Sequence, residues 1–186
     1  MNLRRLLLIF VTLGLLALGW DWLRQPEELA NPPPGSYQRN GYTITPLQPF
    51  ELQARVLGRE DYRFDRGAAV APTDLALGWG PMAEPQILAQ IRITQGNRWY
   101  RWRVSEFPIP RRDIETHSAN MHLIPATPEV ARTLAAITPG ETISLSGQLV
   151  RVEGSDGFTW LSSLSREDTG DGACELIWVE SLGILD

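Results

Sequence analysis

Two histidines and one cysteine are the side chains of this sequence best suited to chemistry, and each is scarce. His117 and His122 stand five residues apart in Asp113-Ile-Glu-Thr-His-Ser-Ala-Asn-Met-His-Leu-Ile-Pro125, and Cys174 is the only thiol. A cysteine nucleophile needs a base to take its proton, and an imidazole is the usual one. On an extended backbone a spacing of five turns the two imidazoles to opposite sides, so at most one can serve Cys174. Asn120 is placed to orient such a histidine, as the third member of a triad does. The pattern names His117, His122 and Cys174 as catalytic candidates for a hydrolase. Against it, Cys174 shares a strand face with Leu176 and Trp178, the setting of a buried and unreactive thiol.

A binding constellation competes with that reading. Six arginines fall between Arg92 and Arg112 against the single carboxylate Glu106. In the strand read around Tyr100, the residues Trp99, Arg101 and Arg103 share one face, while Tyr100, Trp102 and Val104 share the other. Arginine interleaved with tryptophan suits phosphate, carboxylate and stacked rings. Glu175 shares a strand face with Ile177 and Val179, so it is expected to be buried and in need of an arginine or histidine partner. Asn120, Glu175, Trp99, Arg101 and Arg103 are therefore the expected ligand-binding residues.

Other chemistries lack support. The two histidines and the cysteine have no metal-motif spacing, and no phosphate loop, dinucleotide fingerprint or His-Glu-x-x-His is present, so no metal or cofactor is expected. All seventeen basic residues are arginine, which removes lysine Schiff-base and general-base chemistry. A net charge of −5 points away from nucleic acid as the main partner.

The elements that must position these residues read as strands around one main helix. Phe50 to Val56 alternates as a half-buried strand, and Tyr62 and Phe64 suggest a second. Thr73 or Asp74 is read as the cap of one helical turn ended by Gly78 and Pro81. Ile87–Thr94 and Arg98–Val104 read as a hairpin closed around Gln95-Gly96-Asn97. Thr127 caps a helix with Pro128 at its first position and Val130, Leu134 and Ile137 on one stripe. A long strand follows with Gly147 at its middle, where a mid-strand glycine marks a bend. Further strands are expected at Phe158–Ser163 and Ala173–Ser181. The fold class is β-rich α+β, small-barrel-like and of possible OB type. Thr116 to Pro125 reads as a poor regular strand that is nonetheless ordered and buried. Its Ser118, Asn120 and histidine side chains are expected to bond the Ser165–Glu175 loop, with Glu175 accepting from a histidine.

At the amino terminus, Arg4 and Arg5 precede an apolar run from Leu6 to Trp20, followed by Trp22 and Leu23. Counted to Leu23 it spans about 27 Å as a helix, enough for a thinned bilayer. The arginines place that end in the cytoplasm, and Trp20 and Trp22 suit the outer interface. Residues 1–24 are thus expected to be a membrane anchor, with a signal peptide cleaved after Gly19 as the alternative. Residues 25–40, with Pro32-Pro33-Pro34, form a stiff linker, and residues 41–186 a periplasmic domain.

Several runs together resemble a widespread bacterial family of short, membrane-anchored exported proteins. They are Asp74-Leu-Ala-Leu-Gly-Trp-Gly-Pro-Met82, Phe107-Pro-Ile-Pro-Arg111, His117-Ser-Ala-Asn-Met-His-Leu-Ile-Pro-Ala126 and Asp168-Thr-Gly-Asp-Gly-Ala-Cys-Glu175. The family has no established activity, so the resemblance implies an envelope protein and transfers no functional residue. The expectation is a single-pass inner-membrane protein whose periplasmic domain binds or scaffolds. Its partner would be another envelope protein, an anionic glycan or a headgroup, and the Cys174 hydrolase is the alternative.

Overall fold

The computed structural model describes residues 33–168, 170 and 172–185. The expected anchor therefore lies outside the described residues, as does the first half of the expected linker. No helix among the described residues is long and apolar enough to cross a membrane. The folded body begins by Tyr37, inside the segment read as linker. There Tyr37–Arg39 (β1) pairs with the chain from Tyr42 to Ile44, and Tyr37 stacks on Trp178 with ring centroids 4.5 Å apart.

The chain builds a β-rich α+β domain. β2 (Tyr42–Asp61) leads to β3 (Thr73–Gly78), a short helix α1 (Pro85–Leu88), and the hairpin β4 (Arg92–Gly96) and β5 (Trp99–Arg103). After these come α2 (Arg111–Thr116), β6 (Ser118–Pro125), α3 (Pro128–Ala136), β7 (Thr142–Gly154), β8 (Thr159–Leu161) and β9 (Glu175–Leu185). Hydrogen bonding runs β2-β3-β6-β9-β7, and β7 returns to β2, so five strands close the sheet on itself. β2 makes this possible by its length. Its first part, Tyr42 to Arg55, pairs with β7, and Arg55 to Asp61 pairs with β3. β6 and β9 run parallel; the other pairs are antiparallel.

Alternation fills the inside of the closed sheet. Phe50, Leu52, Ala54 and Val56 of β2 meet Leu75, Leu77, Met121, Leu123, Ile143, Leu145, Ile177 and Val179 there. The amphipathic helix α3 adds Val130 and Leu134, and Thr127 caps it by accepting from Val130 N at 3.2 Å. Gly147 lies where β7 shifts register against β9, and a Cβ there would collide with the Trp178 carbonyl. The bend or bulge expected at this glycine is present as a register shift of the β7–β9 pair.

Three local readings are corrected. Thr73 and Asp74 open β3 rather than capping a helical turn. Every residue of β3 is buried, held between β2 and β6, so it carries no period-two signal. Tyr62 and Phe64 follow β2 as irregular chain, and Phe64 is almost wholly exposed. The stretch read as a poor strand is β6, buried from Asn120 to Pro125. Its flanking pairings with β3 and β9 supply the regularity its composition does not.

Candidate functional site

Register places the polar residues of the central stretch. Asp74 pairs with His122 across β3 and β6, and Ala76 pairs with Asn120. Paired residues put their side chains on the same face, so Asp74, Asn120 and His122 cluster on the outer face of the closed sheet. Leu75, Met121 and Glu175, also in register, take the other face. Asp74 is fully enclosed. Its Oδ1 accepts from Arg98 Nη1 at 2.7 Å, and its Oδ2 accepts from Asn120 Nδ2 at 3.2 Å. His122 Nδ1 lies 2.9 Å from Oδ2, close enough for a charge pair, but its N–H points too far off line for a hydrogen bond.

Arg98 arrives from the hairpin turn, and the turn is unusual. Gly96 pairs with Trp99, so only Asn97 and Arg98 form the loop, with φ of 54° and 66°. Such a two-residue turn favours Asn-Gly, since a Cβ is costly at positive φ. Here an arginine holds the glycine position, and its contacts offset that cost. The guanidinium bonds Asp74, the Ala71 carbonyl at 2.9 Å and Asp65 at 2.8 Å, and it lies 3.7 Å from the centre of the Tyr62 ring. Its carbonyl accepts from Asn120 Nδ2 at 3.1 Å. Gln95 completes the network by donating to Asn120 Oδ1 at 2.8 Å.

Two cavities open over this face. The first, of about 400 Å³, lies between the hairpin, α2, β6 and the chain before β9. Trp99, Arg101, Trp102, Asn120, Arg166 and Glu175 are among its lining residues. On its wall, Ser118 Oγ donates to the Ile114 carbonyl at 2.6 Å, so the Tyr100 hydroxyl is the donor to Ser118, with the Ser118 Oγ at 2.9 Å and the Ser118 carbonyl at 3.1 Å as its acceptors. Burial raises the Tyr100 phenol, which keeps it a donor. The second cavity, of about 530 Å³, is lined by Arg66, Arg98, His122, Phe158, Trp160 and Leu161. Trp99 and Cys174 line both.

Glu175 is 1% exposed, and among the described residues neither carboxyl oxygen has a hydrogen-bond partner. Burial pushes its carboxyl up to about 7, opposed by the nearby main-chain N–H of Glu175 itself and by Arg166, with Asp168 adding to the shift. Burial likewise pushes the Cys174 thiol up to about 12, helped by Glu175 and Asp74 and opposed by the Asn120 amide.

The structure thus gathers Trp99, Arg101, Asn120, Cys174 and Glu175 around one cavity. His122 and Cys174 line the other. His117 lines neither. Its Nδ1 donates to the Asp113 carbonyl at 3.0 Å, and its ring packs on Gly80, closing the end of α2. Arg103 is exposed beside Arg92 and also lines neither. Two expected contacts are corrected. Ser118 and Asn120 bond α2, the hairpin and Asp74 rather than the Ser165–Glu175 loop, because β6 meets that region through backbone pairing at Met121 and Glu175. Glu175 accepts from no histidine, since His122 points to the opposite face. Among the described residues no three His, Cys, Asp or Glu side chains converge as a metal site.

Asp74 and Arg98, which hold the network together, were not among the expected site residues. The signals were a lone carboxylate inside an apolar run and an arginine after asparagine where a hairpin favours glycine. No protein-family model, curated protein or solved structure matches the chain.

Proposed function

We propose that this domain is a binding module of the bacterial cell envelope, tethered to the inner membrane by its amino-terminal segment and facing the periplasm. Its closed sheet reads as a small barrel of OB type. Supporting that reading are five strands in the cyclic order β2-β3-β6-β9-β7, the helix α3 between the third and fourth, and a parallel third–fifth pair. Barrels of this type bind oligomers on the face of their second and third strands, here β3 and β6. Both cavities lie against that face.

One observation carries the ligand class. In the first cavity, which Glu115 and Asp168 also line, Arg101 and Arg166 have no carboxylate within salt-bridge distance among the described residues; Trp99 and Trp102 share the lining, and Arg166 lies over the Phe50 and Trp79 rings and donates to the Glu51 carbonyl at 3.1 Å. Unmatched guanidinium next to indole suits a carboxylate or phosphate carried on a ring or a chain. The ligand is an acidic glycan.

The test is calorimetric titration of the full-length chain in detergent with an oligosaccharide alternating glucuronic acid and N-acetylglucosamine. Arg101→Gln should weaken binding about 10-fold or more at unchanged melting temperature, the loss of one charge-assisted contact. No binding, or tighter binding to phosphatidylglycerol vesicles or a single-stranded oligonucleotide, would overturn the glycan assignment.

The hydrolase reading has one observation in its favour: His122, beside Asp74, and Cys174 line the same cavity. The raised thiol opposes it. Iodoacetamide at pH 7.5 distinguishes the two, since a nucleophilic Cys174 would be alkylated rapidly and a buried thiol slowly.

A further inference from the structure

The two cavities differ in charge, although they share Trp99 and Cys174. In the second cavity both arginines are matched. Arg98 is paired with Asp74 and Asp65, and Arg66 with Asp156. What remains for a ligand there is an aromatic wall whose rings already carry cations, Arg98 at 5.4 Å from the Trp160 centre and Arg66 at 5.0 Å from that of Phe158. Trp160 lies with its ring centroid 4.6 Å from that of His122, and Phe158 meets it edge-on at 6.3 Å. The main chain fixes the indole from a further side: a Cβ on Gly67 would sit 2.6 Å from Trp160 Cζ3. A tryptophan so held is a preformed stacking surface, and stacking on it costs little side-chain entropy. Leu161, 58% exposed, extends the wall outward.

We propose that the cavity beside His122 and Trp160 is a second subsite, continuous with the first across Trp99, that takes a neutral sugar of the same ligand. This inference rests on the glycan reading above and sharpens it. The ligand is a chain of at least two units, an acidic one over Arg101 and Arg166 and an uncharged one against Trp160. The order of charge along the chain then fixes the direction in which it lies across the face. The Arg98–Asp74–Asp65 cluster, one cation against two carboxylates, is what excludes a second acid: a carboxylate arriving there finds no unmatched cation and meets Asp65 at the rim.

The full-length chain in detergent is titrated with glucuronic acid, with the glucuronic acid–N-acetylglucosamine disaccharide, and with a uniformly acidic mannuronic acid disaccharide. Affinity should rise about 10-fold or more from the monosaccharide to the mixed disaccharide, and clearly less to the uniformly acidic one. Leu161→Asp, at a surface position, should abolish the gain from the second sugar and leave the monosaccharide unaffected. Equal affinity for monosaccharide and mixed disaccharide would overturn the second subsite while leaving the binding module intact, and so would an equal gain for the uniformly acidic disaccharide. A loss of monosaccharide binding in the Leu161→Asp protein would show the cavities to be one undivided site. Failure of all three sugars to bind would remove the glycan reading and this inference together.

Discussion

Asp74 and Glu175 lie two strands apart in one sheet, equally enclosed, and the fold treats them in opposite ways. Asp74, on the outer face, has Arg98, Asn120 and His122 around its two oxygens. Glu175, on the inner face, has no partner for either oxygen among the described residues. A buried carboxylate with several donors is an anchor: it fixes the hairpin turn, and with it the placement of Trp99 and Arg101. A buried carboxyl without donors is held close to neutral, and its ionisation works against the fold. Depth alone therefore does not tell what a buried acid does. The donors around it do.

The largest effect expected from breaking this contrast is at Asp74. Asp74→Ala leaves the Arg98 charge without its enclosed partner and should cost about 3–5 kcal/mol in urea unfolding. A cost below about 1 kcal/mol would mean that Asp65 and the Ala71 carbonyl suffice to hold Arg98. Asn120→Ala should cost about 1–3 kcal/mol, since it leaves Gln95 only the Asp74 carbonyl at 3.2 Å and removes one donor each to the Asp74 carboxylate and the Arg98 carbonyl. His117→Ala is expected to cost about 1 kcal/mol, for one hydrogen bond at the end of α2, and to leave glycan affinity unchanged. A change in affinity there would bring His117 back into the site.

Local signals were legible in the sequence, and pairings across the sheet were not. The Thr127 cap, the bend at Gly147 and the in–out alternation of β5 are written in neighbouring residues, and each is present. The hairpin is present, but its first strand starts at Arg92 rather than Ile87, which lies in α1, and its turn falls at Asn97-Arg98 rather than around Gln95-Gly96-Asn97. β3 and β6 were misread because a strand covered on both faces loses the alternation that announces a strand. The cluster around Asp74 depends on the β3–β6 register and on a turn from the hairpin, neither of which spacing along the chain encodes. Glu175 was singled out from its apolar strand face, and its burial follows from that position. Its lack of a partner could emerge only once His122 was seen on the opposite face.

The most direct test of the contrast is the pH dependence of Glu175→Gln. Because burial raises the Glu175 carboxyl to about 7, the native state holds its proton where the unfolded chain has released it. Its contribution is then fully present below the ordinary carboxylate range and is lost as pH rises through about 7. Urea unfolding of the wild type and of Glu175→Gln should agree at pH 4, the variant becoming the more stable by up to about 3 kcal/mol at pH 8. A variant less stable than wild type at pH 8, or a difference independent of pH, would show that Glu175 has a partner after all and would contradict the account.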